Sequence, residues 1–170
     1  MTRQEEKQRL RRTIRALEER LSPRYLEESG RTIAARLLAM PEYRAAGTVF
    51  CFAGFGHEVD TRPILENALS AGKVLCLPLC VGLGQMELRQ VTDLTRLSPG
   101  AFGIPEPPAD SPAAQVDEVD FAILPCVSTS FIKNHGIIPV SIYTVLFIPI
   151  IRPFPAISIR KITKTKIYTM

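Results

Sequence analysis

The succession of strand, helix and strand between residues 48 and 80 constrains this chain most. Residues 48–53 are a short, β-rich apolar run, and Gly54, Phe55, Gly56 and His57 end it as a loop. Thr61 and Pro63 open a helix that carries Ile64, Leu65, Ala68 and Leu69 inward, and Gly72 suits its C-terminal stop. Residues 73–80 read as the next strand. Two strands joined through a helix predict a parallel pair with a right-handed crossover, and ligands in such sheets bind beyond the carboxyl ends of the strands. The loop after Ala53 lies at such an end. Met86, Leu88 and Val91 point to a further strand, and the apolar run at 119–126 reads as a central strand covered on both faces.

Two helices precede this unit. Leu10, Ile14, Leu17 and Leu21 recur at intervals of four, three and four, one apolar stripe on an otherwise polar helix. Ser22 followed by Pro23 has the N-cap and first-turn pattern of a second helix, which carries Leu26, Ile33, Leu37 and Leu38 inward and ends before Pro41. A chain of 170 residues with 46% apolar and 22% charged residues has the size and composition of one α/β domain, large enough to fold without a disulfide or metal staple. Cys51, Cys76, Cys80 and Cys126 all sit in apolar runs, and the N-terminus is rich in Arg and Glu where a secreted chain has an apolar signal core. A reduced, cytoplasmic protein is expected.

The net charge of +4 is unevenly distributed. Residues 129–170 hold Lys133, Arg152, Arg160, Lys161, Lys164 and Lys166 with no acidic residue, so the first 128 residues carry 15 basic and 17 acidic groups. Residue usage shifts at the same place, from 16 Leu and 5 Ile in the first part to 1 Leu and 11 Ile in the second. Such a break marks a boundary near Ser128, with a domain at 1–128 and an atypical tail at 129–170. The change from residues with GC-rich codons to residues with AT-rich ones suggests a tail read from foreign or out-of-frame DNA.

Most motifs that would carry chemistry are missing. Cys76 and Cys80 share a face of one strand but lack two further ligands, so no metal site is expected. His57 lies beside Glu58, where a solvated or capping role outweighs general-base work. The sequence has no nucleophile elbow, Walker-type loop, dinucleotide fingerprint or aromatic-and-basic array for nucleic acid. Residues 100–108 are too rich in Gly and Pro for regular structure. They read as a linker or as an ordered loop that sets Phe102, Ile104 and Glu106 against a neighbour or ligand. The residues alone place a candidate site near 52–60.

Five short segments then occur in order: Lys7-Gln8-Arg9-Leu10-Arg11, the loop ending in Glu58-Val59-Asp60-Thr61, the Leu77-Pro78 strand end with Met86 beyond it, Gly103-Ile104-Pro105-Glu106-Pro107, and Val119-Asp120-Phe121-Ala122-Ile123-Leu124-Pro125. Together they resemble the 5-formyltetrahydrofolate cyclo-ligase family over about residues 5–127. The resemblance implies a three-layer, Rossmann-like α/β core with a mainly parallel sheet. It also implies a reaction in which ATP, with Mg2+, phosphorylates the formyl oxygen of 5-formyltetrahydrofolate and N10 displaces the phosphate to give 5,10-methenyltetrahydrofolate. Lys7 and Arg11 match the family's basic pair for ATP phosphates, and Glu58 its folate-binding glutamate. Ala53 matches a second pocket position, and Phe52, Phe55 and Met86 would supply apolar walls beside the reduced folate, with core packing an equal reading for Phe52 and Met86. No catalytic side chain is identifiable.

The family continues past its last matched strand with a glycine-rich loop that holds the triphosphate and magnesium. Residues 129–170 contain Gly136 as their one glycine, so that loop is absent from them. The C-terminal part of the family fold is therefore expected to be missing, leaving a sheet edge exposed and activity impaired. Residues 134–151 carry no Lys, Arg, Asp or Glu, near the lower length for a membrane span, although Pro139 and Pro149 oppose a regular helix. The tail reads as a largely disordered or aggregation-prone extension, a β-prone segment packed poorly on the domain or a membrane anchor, with the anchor weakest. The expectation is a monomer with no specific nucleic-acid or membrane partner. The alternative is a non-enzymatic membrane-associated or interaction protein that acts through the tail.

Overall fold

The computed structural model describes residues 2–56, 58–126, 130–133, 136–139, 144–149 and 167–168. In chain order the helices are α1 (Arg3–Glu18), α2 (Pro23–Ala39), α3 (Pro41–Ala45) and α4 (Arg62–Ser70). The strands are β1 (Thr48–Phe50), β2 (Val74–Gly82), β3 (Gln85–Val91), β4 (Ser98–Pro99), β5 (Pro105–Glu106), β6 (Ala113–Ala114), β7 (Phe121–Cys126), β8 (Ser130–Lys133), β9 (Gly136–Pro139), β10 (Thr144–Pro149) and β11 (Ile167–Tyr168). The main sheet has the order β11-β10-β7-β1-β2-β3-β6, while β4–β5 and β8–β9 are separate antiparallel pairs. Its centre is parallel, β1 pairing with β2 and with β7, and its flanks are antiparallel. This is the α/β architecture that the strand, helix and strand order predicts.

Local sequence explains the helices. The Ser22 side chain accepts the Tyr25 N–H at 3.2 Å and Pro23 occupies the first turn of α2, whose inner face buries Ile33, Ala34 and Leu37. The helix stops before Pro41, as expected, but Pro41 also starts α3 at once because a first-turn residue needs no N–H donor. That short helix buries Tyr43. Its ring meets Phe121 of β7 edge-on at 5.7 Å, its hydroxyl donates to Asn67 Oδ1 of α4 at 3.0 Å, and Lys73 Nζ lies 5.2 Å from the ring centroid. Leu37, Ile64, Leu75, Leu77, Phe121 and Ile123 are fully buried around it, each removing apolar surface worth about 1.5–3 kcal/mol from water. In α1, Ile14 is buried but Leu17 is 41% exposed, so the predicted stripe packs over less of its length than its spacing suggests.

Two strand boundaries differ from expectation for a local reason, and one loop carries more regular structure than expected. Strand β1 ends at Phe50, not Ala53; the Cys51 N–H still reaches the Cys76 carbonyl, but the Thr61 hydroxyl takes the Phe52 carbonyl and draws the chain out of the ladder. Strand β7 starts at Phe121, because Asp120 turns its carboxylate onto the N–H groups of Gly47 and Thr48 at 2.9 and 2.8 Å. Residues 100–108 are not devoid of regular structure: a 3-10 turn spans Ala101–Gly103 and β5 pairs with β4.

The edge of β7 expected to be exposed is occupied. Strand β10 pairs with it antiparallel over six positions, from Thr144↔Cys126 to Pro149↔Phe121. The tail contributes a strand to the domain there. Residues 134, 135, 140–143, 150–166, 169 and 170, on which the extension and anchor readings also depend, lie outside the described residues. Among the described residues no helix is long and apolar enough to cross a membrane.

Candidate functional site

The loop from β1 to α4 is held by its own backbone. A Cβ at Gly54 would collide with the Val59 carbonyl, so the chain can fold back there only with glycine. The Gly54 N–H donates to Thr61 Oγ1 at 2.9 Å, and that hydroxyl donates to the Phe52 carbonyl at 2.7 Å. Phe55 and Glu58 close a turn from both sides: the Glu58 N–H donates to the Phe55 carbonyl, and the Phe55 N–H donates to Glu58 Oε2, both at 3.2 Å. Asp60 Oδ1 accepts the Arg62 N–H at 2.9 Å where α4 begins. Val59 is buried beneath, which leaves Phe55 and Glu58 turned outward.

A cavity of about 280 Å³ lies against this loop, between Ala53, Gly54, Thr61 and Leu65 on one side and Leu97, Pro99 and Pro105 on the other. The second wall belongs to the segment around β4 and β5. There the Gly100 N–H donates to the Ile104 carbonyl at 2.8 Å and the Gly103 N–H to the Gly100 carbonyl at 3.1 Å. At its tip Phe102 adopts a φ of 64° and is 86% exposed. The two walls touch, since a Cβ at Gly103 would lie 3.6 Å from Phe55 Cζ. Glu106 points inward instead: it is 6% exposed, and Oε2 accepts the Cys80 N–H at 3.4 Å. A hydrogen bond with Glu106 also pushes the Cys80 thiol pKa above its ordinary value, with burial adding to it.

The residues singled out from the sequence fall at different places. Ala53 lines the cavity, and Phe55 and Glu58 stand on the loop above it, Phe55 half-exposed. Phe52, which reads equally as pocket wall or core, is core at 6% exposure. Met86, open to the same two readings, is not core, being 66% exposed near the β2–β3 turn and paired with Cys80. Arg11 is exposed on α1, and among the described residues none of that helix lines the cavity; Lys7 lies one turn earlier in the helix, and its side chain and all of His57 lie outside the described residues. Sequence reading missed the lock formed by Gly54 and Thr61. Its signal is faint: a glycine after an apolar strand and a threonine seven residues on, which also reads as a helix start.

The buried thiols are poor nucleophiles at neutral pH. Burial pushes Cys51 up to about 12, partly offset by a backbone hydrogen bond from Phe52, and burial followed by the Glu118 charge pushes Cys76 to about 11. Among the described residues no group of three or more His, Cys, Asp and Glu side chains converges.

These features define an α/β domain whose open loops gather at the carboxyl ends of its parallel strands. Residues 3–134 match the 5-formyltetrahydrofolate cyclo-ligase family, and the chain belongs to that family. It is 36% identical over 66 residues to the 5-formyltetrahydrofolate cyclo-ligase of Escherichia coli (strain K12), covering 39% of this chain and 36% of the relative. It is 27% identical over 107 residues to a probable 5-formyltetrahydrofolate cyclo-ligase of Schizosaccharomyces pombe, covering 62% of this chain and 52% of the relative. The chain thus spans between about a third and a half of the length of these curated relatives. The solved structure of Aquifex aeolicus 5,10-methenyltetrahydrofolate synthetase resembles it with a TM-score of 0.61 and 28% identity, over 68% of this chain and 58% of that one.

Proposed function

We propose that this chain is a reduced-folate-binding protein whose fold serves the ATP-dependent closure of 5-formyltetrahydrofolate to 5,10-methenyltetrahydrofolate, and which turns over little substrate as it stands. The observation that carries this reading is the family match across residues 3–134, which contains the whole loop from Ala53 to Thr61 and the cavity beside it. Glu58 is exposed at the carboxyl end of a parallel strand, where a carboxylate can accept paired N–H groups of a pterin ring. Ala53 gives the ring a small neighbour, and Phe55 and Met86 are apolar side chains open to solvent on the adjoining elements.

The nucleotide side is weaker. Lys7 and Arg11 lie one turn apart in α1, so both cations can approach one polyphosphate. For the family's magnesium, no group of three or more His, Cys, Asp and Glu side chains converges among the described residues, and residues 129–170 contain no acidic side chain. Phosphoryl transfer depends on clamping the developing charge, and losing a single such donor typically slows a reaction about 10²- to 10³-fold. We therefore place the boundary of the competent domain near residue 128 and assign the tail a separate origin, supported by its composition break. The same reading makes the protein a cytoplasmic monomer with no nucleic-acid partner.

ATP-dependent formation of the methenyl product, followed by its ultraviolet absorbance, tests this. The purified protein is compared with a chimera whose residues 129–170 are replaced by a family C-terminus. Activity in the chimera alone is expected, whereas vigorous activity in the original protein would show that the tail supplies the phosphate contacts.

A further inference from the structure

We propose that Glu106 is a positioning residue for reduced-folate binding: its carboxylate, wedged between Gly100 and Cys80, holds the loop that carries Phe102 against the Phe55 loop. The inference rests on the folate reading above and adds a residue whose action is indirect.

Glu106 is 6% exposed, and a carboxylate rarely stays so buried without partners. Its partners come from two directions. From β2, the Cys80 N–H donates to Oε2 at 3.4 Å. From its own hairpin, the Gly100 backbone packs so closely that a methyl group there would collide with the carboxylate. Gly100 is also the hinge of the loop, donating to the Ile104 carbonyl and accepting from the Gly103 N–H. One carboxylate therefore ties the base of the 100–104 loop to the carboxyl-terminal half of β2.

What it holds is costly by itself. Phe102 is a non-glycine residue at a φ of 64°, with its ring 86% exposed. Strained backbone persists only where the surroundings over-determine it, and it concentrates at ligand clamps. Folding back at Gly103 brings the loop onto Phe55, itself half-exposed, so two open aromatic residues stand on neighbouring loops beside Glu58. Flat ring systems associate with such faces. Loss of the Glu106 anchor should let the loop depart without disturbing Glu58.

The test uses Glu106→Ala, Glu106→Gln and Gly100→Ala in the full chain, with two readouts. Chymotrypsin cleavage after Phe102, mapped by mass spectrometry and divided by cleavage after the buried Phe121 in the same digest, reports the loop without any ligand. We expect that ratio to rise at least about tenfold in Glu106→Ala and Gly100→Ala and to stay within about threefold in Glu106→Gln. Should Glu106→Ala unfold globally, both sites would open together and Gly100→Ala decides. An unchanged ratio in the variants that remain folded overturns the proposal. Titration with 5-formyltetrahydrofolate is the second readout, with Kd expected to weaken at least about tenfold in the two loosened variants and to be largely restored in Glu106→Gln. Wild-type binding with no loss in Glu106→Ala refutes the role of Glu106 alone. Absence of wild-type binding refutes the folate reading and this inference with it.

Discussion

Thr61 and Gly54 lock the candidate binding loop through one hydroxyl, which accepts the Gly54 N–H at 2.9 Å and donates to the Phe52 carbonyl at 2.7 Å. Thr61 is 1% exposed, so neither bond can be replaced by bulk water. Thr61→Val keeps the shape and deletes both bonds, leaving a buried carbonyl and a part-buried N–H unsatisfied. We expect a loss of about 1–3 kcal/mol in urea unfolding, with Thr61→Ser near wild type. Equal midpoints for wild type and Thr61→Val would show that the loop does not depend on this hydroxyl.

The thiols predict an alkaline limit to stability. Cys51 and Cys76 are raised to about 12 and about 11 in the folded chain, chiefly by burial. A raised folded pKa means that the stabilisation is complete below the unfolded value, near pH 8.5, and is lost as pH climbs toward the folded one. Stability should therefore fall progressively above about pH 8.5. Iodoacetamide at pH 8 should label Cys51 and Cys76 far more slowly in native than in urea-unfolded protein. Rapid native labelling of either would contradict the burial described here.

Strand β10 covers the edge of β7, and its removal should be felt as association more than as lost activity. Leu146 lies mid-strand, opposite Leu124 on one side and Ile167 on the other. Proline there breaks the ladder and opens the β7 edge to other chains. Light scattering and the soluble fraction on expression should show Leu146→Pro aggregating well before wild type. Identical behaviour would mean that β10 does not protect the sheet.

Much of the fold is legible in the chain because its signals are local. Ser22-Pro23 announces α2, and Ile64, Leu65 and Ala68 recur at helical spacing and are all buried in α4. What stays hidden depends on distant partners. Pro41 reads as a stop, but the burial of Tyr43 just after it comes from Phe121 and Asn67, far along the chain. Glu106 reads from sequence as part of a linker or of an ordered loop facing some neighbour, and only the fold shows that neighbour to be Cys80, 26 residues earlier. Met86 alternates correctly for a strand, but alternation does not reveal that its side chain lies near a hairpin turn, open to solvent. The candidate site was legible as a place, the loop at 52–60, more than as a set of contacts.

Isothermal titration with 5-formyltetrahydrofolate, in wild type and Glu58→Ala, tests the central claim most directly. The Glu58 carboxylate caps the Phe55 N–H and is exposed on the loop, so truncation should leave the core intact while removing the acceptor for the pterin N–H groups. We expect wild-type binding without ATP and a loss of about 1.5–3 kcal/mol in Glu58→Ala, roughly 10- to 150-fold in Kd. Equal affinities would remove Glu58 from the site, and no binding by the wild-type protein would contradict the folate reading itself.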